Sequence, residues 1–220
     1  MAYDADVLIV GGGLVGATLA LALDGAGLSS TLIDAHPATA QRDPGFDGRS
    51  YALALASVRM LTALNLWPAL APNAQPMTQI KVSDGHAGSG PSPFVAEFHH
   101  AEIEEGPMGH MVEDRHMRAA LQSALDRAAR VTRVHGKTLA AQMPDLAGVT
   151  ATLSDGTTLR AATLIGCDGR NSGTAARAGI RHRRHDYGQS ALVCAIAHAR
   201  PHTGVAHQFF MPEGPLAVLP

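Results

Sequence analysis

The chain has 220 residues, 46% of them hydrophobic and 16% charged, and its 17 Lys and Arg against 19 Asp and Glu leave a formal net charge of -2. That length suits one domain, or a domain and part of a second, and the composition supports a buried core rather than disorder. The near-neutral charge excludes a nucleic-acid surface, which needs a basic stripe to displace counterions. Two isolated cysteines, Cys167 and Cys194, make neither a disulfide framework nor a zinc site. They fit a reducing cytoplasm and read as small apolar residues buried on strands.

In chain order, residues 6–10 (DVLIV) predict a short buried strand and residues 11–16 a glycine turn. Residues 14–27 predict a helix rich in Ala and Leu that glycine ends, and residues 30–34 (STLID) a second strand. This is a βαβ unit with a parallel pair. The apolar run from 7 to 27 is not a signal peptide or a membrane span, because Asp4 and Asp6 flank it and glycines interrupt it. With no other span, a soluble protein is expected.

Residues 36–48 read as loop and residues 50–66 as a second helix closed by Trp67-Pro68. Strands are expected at 78–83 and 94–98. Asp114 reads as the N-cap of a helix to about 129, with apolar positions at Met117, Leu121 and Leu125. A short strand follows at 131–134. Residues 149–161 alternate around Asp155-Gly156, a hairpin signal. Residues 163–167 predict a buried strand, 172–178 a helix, and 191–198 and 205–211 further strands.

The first chemistry-bearing motif is Gly11-Gly12-Gly13-Leu14-Val15-Gly16, which fits G-x-G-x-x-G. Gly11 permits the tight turn, Gly13 lets backbone N–H groups approach a pyrophosphate, and Gly16 lets helix and strand pack closely. The helix N-terminus adds partial positive charge for the phosphates. Asp34 ends the next strand, 18 positions after Gly16, where a carboxylate accepts hydrogen bonds from a ribose. The loop alone does not separate FAD from NAD. His182 and His185 are set among Arg181, Arg183 and Arg184, which repel a cation, so no metal site is expected. No nucleophile elbow supports Ser/His/Asp catalysis.

With residues 6–34 (DVLIVGGGLVGATLALALDGAGLSSTLID), 47–61 (DGRSYALALASVRML) and 109–121 (GHMVEDRHMRAAL) in view, the chain resembles the flavoprotein hydroxylases of ubiquinone biosynthesis, of the 2-octaprenyl-6-methoxyphenol hydroxylase type. These belong to the larger p-hydroxybenzoate-hydroxylase-like group of monooxygenases. Residues 166–172 (GCDGRNS) resemble the group's "DG" motif. The pieces at 187–198 and 206–220 resemble its substrate domain up to a "GPLALLPL" stretch. One position departs from the pattern: the arginine expected three residues after Ser172 is Ala175, and Arg177 lies two further on.

The resemblance implies an α/β fold: a glutathione-reductase-like FAD/NAD(P)-binding Rossmann domain with a discontinuous, mainly β substrate domain. The FAD-binding segments would be 1–72 and 103–180, and the substrate segments 73–102 and 181–220. It implies FAD contacts from Gly11, Gly13, Leu14, Val15, Gly16 and Asp34, from Asp168 and Gly169, and from Arg49 as a buried charge beside the flavin. No side chain is expected to act as an acid or base.

The implied cycle has NAD(P)H reduce FAD, O2 add to form a C4a-hydroperoxide, and that species hydroxylate a polyprenylated phenol. So apolar a substrate implies peripheral contact with the inner membrane from the cytoplasm, or association with other ubiquinone-biosynthesis proteins. The group's remaining "GD" motif would lie beyond Pro220, so the chain is expected to be the N-terminal part of a longer protein. A non-catalytic dinucleotide-binding fragment and a reductase of the same fold stay open as alternatives.

Overall fold

The computed structural model describes residues 2–103 and 106–220. Met1, Glu104 and Glu105, which fall in the expected FAD-binding segments 1–72 and 103–180, lie outside the described residues. The strands are β1 (Ala5–Val10), β2 (Ser30–Asp34), β3 (Ser50–Ala54), β4 (Ala74–Met77), β5 (Gln79–His86), β6 (Gly90–His99), β7 (Gly109–Glu113), β8 (Val131–His135), β9 (Leu139–Asp145), β10 (Gly148–Leu153), β11 (Thr158–Gly166), β12 (Val205–Met211) and β13 (Gly214–Val218). The helices are α1 (Leu14–Gly25), α2 (Leu55–Ala63), α3 (Trp67–Leu70), α4 (Asp114–Leu125) and α5 (Gly173–Arg177). The chain divides into two compact units, Met1–Gly45 with Met117–Ala191, and Phe46–His116 with Leu192–Pro220.

The first unit is built on a six-stranded sheet in the order β8-β2-β1-β11-β10-β9. β8, β2, β1 and β11 are parallel, and β10 and β9 add as an antiparallel ribbon. β1 and β2 are buried along almost their whole length, as central parallel strands must be when both faces are covered. α1 packs on β1, β2 and β8, and it buries only Gly16, Ala17 and Ala20. These small residues bring its axis close to the sheet. A core of Leu8, Val10, Ile33, Leu139, Ala151, Leu153 and Ala161 spans the strands. Asp155-Gly156 makes the expected turn between β10 and β11, with the Gly156 N–H donating to the Leu153 carbonyl at 3.0 Å. The strand expected at 163–167 is the end of that same β11.

α5 ends in a Schellman motif. The Ile180 N–H reaches the Ala175 carbonyl at 3.0 Å and the Gly179 N–H the Ala176 carbonyl at 3.1 Å, and Gly179 supplies the left-handed residue at φ +72°.

The second unit holds a three-stranded antiparallel sheet, β3-β7-β4, and a four-stranded sheet, β13-β12-β5-β6. Val58 and Leu61 of α2, with Leu66, Leu70, Met77 and Val112, form its buried apolar residues around the smaller sheet. Residues 50–66 do not form the single expected helix. Residues 50–54 are a strand because β7 satisfies their backbone groups, with Tyr51 opposite Val112 and Leu53 opposite His110. Tertiary pairing here overrides the helical preference of Ala and Leu. α2 then closes on Asn65, itself left-handed at φ +56°.

That pairing also bears on the unit boundaries. The units divide after residues 45, 116 and 191, and the first two divisions keep β3, β4 and β7 in one sheet; the sequence placed domain boundaries after 72, 102 and 180. The strand expected at 191–198 is not formed: no strand pairs with it, and Leu192, Val193 and Ile196 are exposed. Cys194 is accordingly exposed and not on a strand, while Cys167 is half-buried just after β11. No helix among the described residues is long and apolar enough to cross a membrane.

Candidate dinucleotide site

In the first unit, β1 is the strand from which the sheet grows both ways. The chain leaves it through α1 to β2 on one side, and β11 pairs on the other. Open α/β sheets bind ligands at the carboxyl ends of such strands. Here those ends carry Gly11, Asp34 and Cys167-Asp168. The Gly11 N–H donates to the Ile33 carbonyl and the Cys167 N–H to the Val10 carbonyl, both at 2.7 Å, so the three ends are tied together. A cavity of about 440 Å³ opens there, lined by Gly11, Gly12, Gly13, Asp34, Asp168 and Gly169, among others.

The glycines of the loop have different reasons. Gly11 sits at φ +104°, and a Cβ on it would stand 2.4 Å from the Cys167 carbonyl oxygen. A Cβ on Gly16 would meet the Gly11 carbonyl oxygen at 1.9 Å, and one on Gly12 the Asp34 Oδ2 at 2.3 Å. Gly13 is another matter: apart from the adjoining backbone, nothing in the protein lies within 4 Å of its Cβ position. It precedes α1 with no side-chain cap, and no acidic residue occupies the helix's first turn. The protein itself gives no steric reason for a glycine at 13. An anion laid against the first-turn N–H groups, which have no intrahelical partner, does. The residues present therefore fit the pyrophosphate of a dinucleotide.

Asp34 is buried, at 5% exposure. Its Oδ1 accepts the His36 N–H at 2.7 Å and lies 3.1 Å from His36 Nδ1, and its Oδ2 accepts from Gln41 Nε2 at 3.0 Å. The carboxylate is thus held at the strand end on the cavity wall. Gly12 was the free position of the motif, yet it is what lets Asp34 approach the loop. The run of three glycines carried that signal. His36 and Gln41 carried none, because their role depends on how the loop after β2 folds back.

Asp168 turns inward. Its Oδ1 accepts from Ser172 Oγ at 2.5 Å, and its Oδ2 accepts the Thr174 N–H at 3.0 Å and Thr174 Oγ1 at 2.9 Å. Burial works to raise its pKa, but these hydrogen bonds outweigh burial and leave the carboxyl below its ordinary value. Gly169 follows at φ +81°. Burial, with the Asp168 charge beside it, pushes the Cys167 thiol up.

Lys137, on the cavity wall, is ion-paired with Asp155. That pairing, with hydrogen bonds from Thr157, holds Asp155 at about 2, against an ordinary value of 3.8. The bond from Arg160, with the Ala147 N–H, likewise holds Asp145 at about 2. A depressed carboxyl stabilises the fold fully above its unfolded pKa, and the contribution is lost as pH falls through the folded value. The thermal midpoint should therefore drop between about pH 4 and about pH 2. In Asp155→Asn that drop should be smaller; a drop of unchanged size would show that these pairs are not its source.

Arg49 belongs to the second unit. Its Nε donates to Asp47 Oδ2 and its Nη2 to Asp114 Oδ2, each at 2.8 Å. Tyr51 donates to Asp114 Oδ1 at 2.7 Å. The bond to Asp47 is the main cause that raises the Arg49 pKa. The expectation of a buried arginine is corrected: its side chain is 58% exposed, while Asp114, at 3%, carries the burial.

Residues 4–213 match the family model described as "FAD binding domain". Over 98% of its length the chain is 45% identical to ubiquinone hydroxylase UbiL of Rhodospirillum rubrum, covering 49% of that protein. It is 33% identical to 3-demethoxyubiquinol 3-hydroxylase of Escherichia coli, again over 98% of the chain, covering 54% of the relative. The chain thus spans about half the length of the curated relatives it matches. Among solved structures it is similar to PqsL, a probable FAD-dependent monooxygenase from Pseudomonas aeruginosa. That match has TM-score 0.68 and 23% identity, over 83% of this chain and 48% of the other. At that identity the likeness establishes the α/β fold.

Proposed function

The chain belongs to the FAD binding domain family, and from that membership we propose that its protein is an FAD-dependent aromatic monooxygenase. Its substrate would be a polyprenylated phenol on the route to ubiquinone, with NAD(P)H and O2 consumed. The observation that carries this reading is the cradle of the first unit. It has a glycine at 13 with open space at its Cβ position and a buried acid, Asp34, at the next strand end. It stands in a chain 45% identical to a ubiquinone hydroxylase.

The glycine-loop amides and the α1 N-terminus would hold the pyrophosphate, and Asp34 would orient the adenosine ribose. The Asp168-Gly169 turn, pinned by Ser172 and Thr174, would shape the wall. Leu14 and Val15 would contribute backbone N–H groups. Arg49 would supply positive charge to the reduced flavin. The chemistry FAD supplies when bound is acceptance of hydride from NAD(P)H and activation of O2; the protein's part is to bind, orient and exclude water. A polyprenyl tail partitions into lipid, so the working enzyme would sit at the inner membrane from the cytoplasmic side, or with proteins that present such substrates.

The test is a visible absorption titration with FAD, followed by NAD(P)H oxidation with a prenylphenol under 18O2, using the protein expressed from its complete coding sequence. A bound-flavin spectrum and one labelled oxygen in the product are expected. NAD(P)H oxidation with no label in the product would replace the hydroxylase reading with a reductase, and absence of flavin binding would sink both.

A further inference from the structure

Among the described residues, one positive charge on the dinucleotide cavity of the first unit is claimed by no carboxylate. Arg177 closes α5 and lines the same cavity as Gly11, Gly12, Gly13 and Asp34. Its guanidinium donates to the Leu139 carbonyl. It also rests against Gly173, where a Cβ would stand 3.2 Å from Nη1 and 3.4 Å from Nη2. With no side chain at 173 the guanidinium lies along the helix, and the Leu139 carbonyl holds its end. The other charges on the wall are committed. Lys137 pairs with Asp155, Asp168 accepts from Ser172 and Thr174, and Asp34 accepts from His36 and Gln41. Among the described residues no carboxylate pairs with Arg177.

A guanidinium anchored at one edge and unpaired at the others keeps donors for an oxyanion, and it cannot lose its charge. The sequence pattern expects arginine at 175, but Ala175 lines a separate groove with Tyr3, Gln142 and Ala178. Residues two apart on a helix point about 200° from each other. The charge in this chain therefore stands on the cavity side of α5. We propose that Arg177 binds the diphosphate of the dinucleotide, acting from α5 while the glycine-loop amides act from α1. The proposal rests on the dinucleotide reading above. A purely structural role, in which Arg177 only complements the C-terminal end of α5 and ties it to β9, makes different predictions.

The experiment compares binding of FAD, ADP and riboflavin to the protein from its complete coding sequence and to Arg177→Gln, Arg177→Met and Arg177→Lys. Binding is read by fluorescence at several salt concentrations. Both neutral variants should bind FAD and ADP about tenfold more weakly. Their salt dependence should be shallower. Riboflavin, which has no phosphate, should bind unchanged, and Arg177→Lys should recover part of the ADP affinity. Should one neutral variant fail to fold, the other carries the same reading. Unchanged FAD and ADP affinity, or equal loss for riboflavin and ADP, overturns the role of Arg177. A parent protein that binds neither FAD nor ADP overturns the dinucleotide reading itself, and the two failures are distinguishable.

Discussion

Gly16→Ala should destabilise the first unit by about 3 kcal/mol, at the upper end of overpacking costs, and abolish FAD binding. The added methyl would lie 1.9 Å from the Gly11 carbonyl oxygen and 3.3 Å from the Cys167 Cβ. Neither is the far end of a flexible chain: one is loop backbone and the other starts a half-buried side chain at the end of β11. Either α1 lifts from the sheet or the loop moves. For a chain of this size the thermal midpoint should fall by about 10 °C. Gly13→Ala is the contrast. With nothing beyond the adjoining backbone within 4 Å of the new carbon, its stability should change by about 1 kcal/mol or less, yet FAD binding should weaken at least tenfold. Calorimetry and a flavin titration on both variants decide. If Gly13→Ala bound FAD like the parent protein, the open space at residue 13 would not be the pyrophosphate's.

Asp34→Ala should weaken FAD binding by about 30-fold, the worth of a hydrogen bond to a charged acceptor. The same change should cost the fold about 2 kcal/mol, because the His36 N–H and Gln41 Nε2 lose their acceptor. Isothermal titration with FAD beside chemical denaturation separates the two effects. Dinucleotide affinity equal to the parent's would remove Asp34 from the site and leave it a structural strand end. Gly12→Ala should shift affinity in the same direction, because its Cβ would stand 2.3 Å from Asp34 Oδ2 and displace the carboxylate.

Elements whose backbone bonds close locally, or whose pattern repeats over a long stretch, were legible. β2 and β12 lie at the residues where the sequence placed strands, 30–34 and 205–211. α1 begins after the glycine turn, and α5 stops at Arg177, with Ala178 as its cap and Gly179 as the left-handed residue that follows, because capping chemistry is written in adjacent residues. The hairpin at Asp155-Gly156 was readable for the same reason. Residues 50–54 were not, because whether Ser-Tyr-Ala-Leu-Ala is helix or strand depends on β7, some 60 residues away. Residues 191–198 have strand propensity but no pairing partner, and propensity without a ladder forms no strand.

The candidate site divides in the same way. The loop and its acid, Gly11 to Gly16 and Asp34, were visible because backbone sterics and strand ends impose fixed spacings. By itself the sequence determined the βαβ unit, the glycine turn at its strand-to-helix junction and the acid that ends the next strand. Only the tertiary structure decided how each charge is partnered. Lys137 is taken up by Asp155, Arg49 pairs with Asp47 and Asp114 within its own unit, and Arg177 is left on the wall of the first unit's cavity. The physical reason is that ion pairing and cavity lining join residues far apart in the chain, and a charge in a sequence has no partner until the fold supplies one.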